Sequence, residues 1–518
     1  MVTRPRSFAS SLVSLFVALG SFCCGYSLAI TSTTLTQPSF VEYMGLARNK
    51  HAAALDGTTN GVFIIGCFIG SIVSTFLPEV LGRRMAVFLG AIMATIGGAL
   101  QAGSVNMAMF IAFRLVAGLG VGMIYRTVVT LVTTHRSPGS LFSCIPLYQS
   151  EISPPESRGM VVGFHGIFIT LGYTLSNWVG VGFFYVNANG AQWRLPLAIQ
   201  AVPSLLCVLG IWFMPESPRW LISKDRSDDA MKVIRRLHQS RGVDDDAFVQ
   251  REFLQIQEQH RIAQSKQVSW KEMLTVPSYR KRLLIGIFIM FCSQFTATMI
   301  VAIYNPLLYG ILGHPVSQQL LFTAGYSTVS FAGNFLNGMT VDRVGRVTAL
   351  RIGWVGCAVG LIGICASLAS FAHTGSQAAA ISTIVFLYLH ILMYSANIDV
   401  TTYVYVSEIF PNELRSKGLS ISVASYFIIL CTQLESAITA LEAIGWKSIL
   451  VYLCCLVVAC VPLFLYCPET KNRSLEEIGA IFGDEVTHVR LDVTKEMGDG
   501  LADKVPIESE EVEHAVQK

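Results

Sequence analysis

Three charged signatures occur twice, in the same order, along this chain of 518 residues. Gly82-Arg83-Arg84 returns as Asp342-Arg-Val-Gly345-Arg346, and Ser150-Glu151-Ile-Ser-Pro…Arg158-Gly159 returns as Ser407-Glu408-Ile-Phe-Pro…Arg415-Ser-Lys-Gly418. Pro215-Glu216-Ser217-Pro-Arg219-Trp220 returns as Pro468-Glu469-Thr470-Lys471. From Gly82, Glu151 and Glu216 the spacings are 263, 257 and 253 residues. The chemistry on offer is charge pairing: glycine lets a loop turn, and arginine forks onto carboxylates. Arg83, Arg84, Glu151, Arg158, Glu216 and Arg219 can form one ion-pair lattice, and Asp342, Arg346, Glu408, Arg415 and Glu469 a second. Such lattices lock one arrangement of packed elements and break in another, which is what a gate requires. A further set of ionisable residues, Arg114, Asp399 and Glu435, falls inside apolar stretches. Charge is costly there and is functional by default. His165 and His390 also sit in such stretches, where packing with a hydrogen bond is the usual role of a lone histidine. No P-loop, metal-ligand cluster or nucleophile constellation occurs, so an enzyme, a cofactor and a bound metal are not expected.

The elements that must position these charges are membrane helices. Of the residues, 52% are hydrophobic and only 14% charged, with a mean hydropathy of +0.54; a soluble chain carries about 25% charged residues. Apolar runs long enough to cross about 30 Å of hydrocarbon recur at 9–30, 57–77, 85–104, 107–125, 160–184, 196–214, 283–304, 318–338, 349–371, 380–406, 419–441 and 446–466. The repeat divides them into two related halves. The expected architecture is therefore an all-α membrane protein of twelve transmembrane helices in two six-helix bundles, with the lipid bilayer as its surroundings. Its segments are an N-terminus at 1–8, a first bundle at 9–214, a linker at 215–282, a second bundle at 283–466 and a polar tail at 467–518 expected to be largely disordered.

Charge distribution gives the orientation. The linker 215–282 carries fourteen Lys and Arg, with short mixed-charge helices expected at 228–239 and 246–264, whereas the short loops of the other side hold Arg48, Lys50, Arg194 and Lys447. The positive-inside rule puts the linker, both termini and all six signatures in the cytosol. The net charge of +3 is distributed by loop and gives no indication of nucleic-acid binding. Arg4 and Arg6 before the first run do not make it a signal peptide, because no small-residue cleavage site with a soluble domain follows. The thirteen cysteines lie almost all within spans and contain no CxxC, which reads as packing.

Taken together, these loops resemble the sugar-porter family of the major facilitator superfamily over nearly all of 10–480. Pro215-Glu-Ser-Pro-Arg-Trp-Leu221 and Pro468-Glu-Thr-Lys…Ser474-Leu-Glu-Glu-Ile478 carry the resemblance, and Gln37-Pro-Ser-Phe40 with Pro146-Leu-Tyr-Gln-Ser-Glu151 gives it a fungal style. The resemblance implies the major facilitator fold with a central site alternately open to each side. It also implies movement of a sugar or related polyol, by facilitation or with protons, in the plasma membrane.

At the binding positions the chain departs from the family pattern. Where the seventh helix of the family reads Gln-Gln-x-Ser-Gly-x-Asn…Tyr-Tyr-x-Pro, this chain has Ser293-Gln294-Phe-Thr296-Ala297-Thr-Met299…Ile303-Tyr304-Asn-Pro306. Gln294, Thr296 and Tyr304 remain as substrate-binding candidates. His165, beside Gly166 at the usual fifth-helix glutamine, and Tyr403, in place of the tenth-helix Gly-Pro-x-Pro-Trp, join them. The pocket so defined is poorer in amides and richer in rings than a hexose site. Proton-coupled members carry an aspartate after Gly-Tyr in the first helix; here the stretch is Gly25-Tyr26-Ser27, while its partner Arg114 is kept. Asp399 or Glu435 is then left to neutralise Arg114 or to take over coupling.

One stretch fits no helix. Gly122 and Pro146 are separated by 23 residues that include Arg126, His135 and Arg136, and a continuous helix over 107–149 would span about 64 Å, roughly twice the bilayer. An insertion within 124–143, either genuine or a retained intron, is expected. Three functions remain open from the sequence: a sugar or polyol importer, an exporter of a small organic metabolite, and a nutrient sensor on the same fold.

Overall fold

In lipid, a backbone can satisfy its own polar groups only as helix or closed barrel, and the chain takes the first route. The computed structural model describes residues 8–49, 51–125, 158–186, 188, 190–238, 249–250, 253–254, 256–257, 269–411, 414–471, 473 and 475–483; among them no strand occurs. The long helices of the first half are α1 (Phe8–Thr34), α2 (Ala52–Val80), α3 (Arg83–Ala102), α4 (Met107–Tyr125), α5 (Arg158–Phe184) and α6 (Ala191–Gly210). In the second half, α7 runs in two pieces, α7a (Pro277–Cys292) and α7b (Thr298–Ile311). It is followed by α8 (Val316–Val344), α9 (Arg346–Thr374), α10a (Gln377–Asn397) with α10b (Asp399–Ile409), α11 (Arg415–Ile444) and α12 (Lys447–Tyr466). Ten of these twelve units are both long and apolar enough to cross a membrane on their own composition. The other two, α1 and α8, have the length, at 27 and 29 residues.

Small residues decide which helices touch. Gly118 and Gly122 of α4 lie on the α2 backbone, and Gly120 lies on α3, so α4 is wedged between its neighbours with no room for a Cβ. Helices α1 to α6 pack as one bundle and α7 to α12 as another. The bundles meet along α2 with α11, α5 with α8 and α1 with α7b. In the α5 seam Thr174 Oγ1 donates to the Ser327 carbonyl at 2.9 Å and Trp178 Nε1 to Thr328 Oγ1 at 3.0 Å, while Tyr173 donates to the Ala302 carbonyl at 3.1 Å. These three hydrogen bonds fall in the half of the molecule away from the charged loops.

Short helices dress the charged-loop face. Ser227–His238 starts with Asp228 and Asp229 in its first turn, matching the helix expected at 228–239. Of the stretch 246–264 only a few residues are described, of which Phe253 and Ile256 pack on the helix Pro218–Ser223. Trp270–Thr275 begins with a Ser269–Glu272 capping box. The tail forms one further helix, Leu475–Phe482, whose Phe482 lies under the Arg282 guanidinium at 4.8 Å. The stretch from 126 to 143 and the tail beyond 483 lie outside the described residues.

Candidate functional site

The repeated loops are built the same way in both halves. Gly82 ends α2 and starts α3 at φ 94°, ψ 164°; Gly345 does the same between α8 and α9 at φ 105°, ψ 152°. Only glycine occupies that region cheaply. The turn leaves the first N–H groups of the next helix free, and a glutamate takes them. Glu216 accepts from the N–H groups of Arg83 at 3.0 Å and Arg84 at 3.3 Å. Glu469 accepts from those of Arg346 at 2.8 Å, Val347 at 3.3 Å and Thr348 at 3.0 Å. Spacing alone suggested side-chain ion pairs here; the glutamates instead act first as helix caps.

A side-chain lattice is present as well in the second half. Arg346 bonds Glu408 through Nε at 3.1 Å and Nη2 at 3.0 Å, and Asp342 at 2.8 Å. Thr470 Oγ1 donates to the other Glu408 oxygen at 2.6 Å. Arg415 sits beside them, its Nε on the Phe410 carbonyl at 3.3 Å, with burial lowering its pKa and the Glu408 charge opposing that. In the first half Arg84 stacks on Trp212 at 5.1 Å. Glu151 lies outside the described residues, as do the side chains of Arg158 and Arg219.

Deeper in the second bundle, α7 and α10 both break. Between α7a and α7b, Ser293–Thr296 tightens into a 3-10 turn and Ala297 adopts φ 59°. This alanine stands where the sequence pattern wanted glycine, so the break carries strain. His390 of α10a, fully buried, holds it by pairing Nε2 with the Thr296 carbonyl at 2.8 Å. Gln294 and Thr296 are buried on this turn, Thr296 Oγ1 lying 3.1 Å from Thr298 Oγ1. Tyr304, farther along α7b, donates to the Leu434 carbonyl of α11 at 3.1 Å. The α10 break, at Ile398, puts Asp399 in the first turn of α10b, where it accepts from Asn334 Nδ2 at 2.8 Å. Asn337 and Thr401 pair one turn away at 3.1 Å. Tyr403 faces Tyr426 of α11 with ring centroids 6.2 Å apart. Across the bundle boundary a Cβ at Gly166 of α5 would stand 3.6 Å from Val400, so the fifth and tenth helices approach there; the His165 side chain is outside the description.

Residues 13–134 and 137–482 match the family described as Sugar (and other) transporter. The chain belongs to that family. The MFS-type transporter criB of Aspergillus cristatus is 31% identical over 91% of this chain and 93% of its own length. The low-affinity glucose transporter HXT1 of Saccharomyces cerevisiae is 29% identical over 92% of this chain and 82% of its own. Among solved structures, the xylose transporter XylE from E. coli in an inward-open conformation superposes with a TM-score of 0.73 at 23% identity, covering 91% of this chain and 99% of that one. The fold is thus the all-α major facilitator fold, and the sugar transporter family makes the chain a multi-pass membrane transporter and not an enzyme. The family match is interrupted at 135–136, within the stretch 124–143 expected from the sequence to hold an insertion, most of which lies outside the described residues.

Against that family background, the charges inside the spans take distinct positions. Arg114 of α4 is 1% exposed, donates to the Ser27 carbonyl at 3.0 Å and lies 4.1 Å over the Phe63 ring. Among the described residues it has no acidic partner: Asp399 is held by Asn334, and the Glu435 carboxyl fits against Gly61 of α2. The suggestion that either acid neutralises Arg114 is therefore not met; the aromatic face and a carbonyl hold the guanidinium. Two groups beside Glu435 escaped the sequence reading, Asp56 and Asn60 of α2. Their i, i+4 spacing was the available signal, but the span was started at 57, one residue too late to include Asp56.

Proposed function

We propose that this chain moves a sugar or related polyol across the plasma membrane by alternating access, with its termini and the segment 215–282 in the cytosol. The observation that supports the reading most is an asymmetry of hydrogen bonding: among the described residues the bonds between bundles, Tyr173 to Ala302, Thr174 to Ser327 and Trp178 to Thr328, lie in the half opposite the charged loops. A transporter closed at one face and releasable at the other has this form. The matched caps at Gly82 and Gly345 supply the bistable element at the loop face. The broken helices α7 and α10 carry Gln294, Thr296, Asp399 and Tyr403 at or beside their breaks, and unwound backbone is what meets substrate in transporters of this design. Glucose and xylose, named for the relatives, make sugar the leading substrate class.

The test is uptake by a transporter-null yeast offered labelled hexoses, pentoses, quinate and disaccharides, with and without a protonophore. Uptake of at least one sugar or polyol is expected. Uptake of none, together with retention of a metabolite when the gene is deleted, replaces import by export. Asp399 is the proposed coupling acid, since Asn334 holds it at a helix break and Ser27 cannot carry a proton. Asp399→Asn should then abolish the protonophore-sensitive part of uptake; equal uptake with and without protonophore in both proteins assigns facilitation instead.

A further inference from the structure

The seam between α2 and α11, on the face opposite the charged loops, contains two acids that the central site does not use. Gly57 lets the two backbones approach: a Cβ there would stand 3.5 Å from the Glu435 carbonyl oxygen. One turn on, a Cβ at Gly61 would collide with the Glu435 carboxyl, so the carboxyl occupies the notch that glycine leaves. Tyr304 of α7b bonds the Leu434 carbonyl beside it at 3.1 Å, and the Asn60 side chain reaches the Tyr304 hydroxyl. Asp56 and Glu435 both bear electrostatically on that same hydroxyl. Asp56 Oδ1 is buried without a hydrogen-bond partner. Among the described residues neither carboxyl is in an ion pair with Lys, Arg or His.

We propose that Asp56 and Glu435 form a proton-operated latch that closes this face of the transporter. The inference rests on the alternating-access reading and adds to it the identity of the species that drives one closure, a proton. Closing the seam brings two carboxyls from different bundles onto one tyrosine and strips water from Asp56 Oδ1, while Glu435 stays exposed. With both ionised, their repulsion and the desolvation of Asp56 oppose closure; a proton retained on Asp56 removes the repulsion and supplies a donor. Linkage makes the relation reciprocal: protonation favours closure, and closure takes up a proton. The titratable groups bearing on the contact are Asp56 from α2, Tyr304 from α7b, and Glu435 with Cys431 from α11. His51, one turn before Asp56, is exposed, Glu42 and Arg48 lie on the preceding connection, and α4 offers no charge before Arg114.

Double electron–electron resonance on the full chain in nanodiscs tests the latch. One pair of genetically encoded spin labels at Val105 and Ala372 reports the face opposite the charged loops, and a second pair at Lys224 and Lys271 reports the loop face. Between pH 8 and pH 5 the Val105–Ala372 pair should shift towards its short separation in the wild type. Asp56→Asn and Glu435→Gln should each hold the short separation at both pH values, so the pH response is lost. A wild-type distribution indifferent to pH, or a wild-type response kept by both variants, overturns the latch while movement of the labels with added glucose or xylose leaves alternating access standing. If neither pair moves under any of these conditions, the alternating-access reading falls first. Should Asp56→Asn fail to fold, Glu435→Gln carries the same test alone.

Discussion

The two charged loops share a plan and differ in how well they are satisfied. Glu216 receives N–H bonds from Arg83, Arg84 and Ser217. Glu469 receives them from Arg346, Val347, Thr348, Thr470 and Lys471, with the Thr348 hydroxyl besides. The consequence is electrostatic. Burial raises the Glu216 carboxyl above the usual carboxylate range, and its N–H groups and the Arg83 charge only partly oppose this. Burial pulls Glu469 the same way, but the N–H groups of Thr348, Val347, Arg346 and Lys471 outweigh it and hold the group below that range. Repetition of a motif thus preserves geometry while leaving the energy of each copy free to differ. Among the described residues the second-half loop is the firmer clamp and the first-half loop the softer one.

The largest effect should come from the feature the halves share. Gly82→Ala and Gly345→Ala each force a Cβ into backbone that suits only glycine and into the capping glutamate. A cost of roughly 2–3 kcal/mol is expected for each, read as loss of thermal stability of the detergent-solubilised protein. A neutral result at either position would break the equivalence of the two loops.

Removing the caps should separate the halves. Glu469→Gln withdraws an anion from an array of donors and exposes an amide that cannot accept as many bonds; about 1 kcal/mol is expected after allowance for its partial exposure. Glu216→Gln should cost less, because burial already disfavours its charge. Equal losses in the same thermal assay would contradict the contrast drawn above.

Acidification sharpens the point because the signs oppose. Glu469, held below its ordinary value of 4.5, contributes stability that is complete above that value and lost as pH falls through its folded value. Glu216, held above the same ordinary value, contributes the reverse: its proton stabilises the fold as pH falls through the raised value. Thermal scans from pH 7 downwards should show Glu469→Gln flattening the acid loss and Glu216→Gln steepening it. Parallel curves for the two variants would mean that burial and hydrogen bonding balance alike in both loops.

How much of this was legible beforehand depends on what each residue answers to. The helices, the duplication and the charged face follow from apolar run length and loop charge, both local properties; twelve helical units lie where the runs do, ten of them long and apolar enough to cross a membrane. The lattice around Arg346 was also legible, because an arginine and two carboxylates on neighbouring loops pair through their charge. The capping role of Glu216 and Glu469 was not, since it depends on backbone N–H groups that no sequence displays. The break at Ala297 was visible only as a missing glycine, and its brace by His390 joins residues 94 apart. Asp56 was missed for a plainer reason: a charged residue at the edge of an apolar run is assigned to the loop, whereas in the fold it enters the seam with α11.

The smallest and most diagnostic contrast lies one residue past each glutamate. Ser217 works within its own loop, its oxygen accepting from the Trp220 N–H at 3.4 Å to start the helix Pro218–Ser223. Its repeat counterpart Thr470 reaches out, donating to Glu408 on α10b, which in turn holds Arg346 on α9. Ser217→Ala should therefore cost a cap alone, about 0.5 kcal/mol for a bond this long, and leave uptake rates unchanged. Thr470→Ala should cost a similar amount in stability, yet it frees one oxygen of the acid that ties α9 to α10b. Because that tie belongs to the proposed gate, its loosening should shift the balance between the two open states, seen as a longer Lys224–Lys271 separation at fixed pH. If Ser217→Ala moves that separation as much as Thr470→Ala does, the second-half loop is no more a gate than the first.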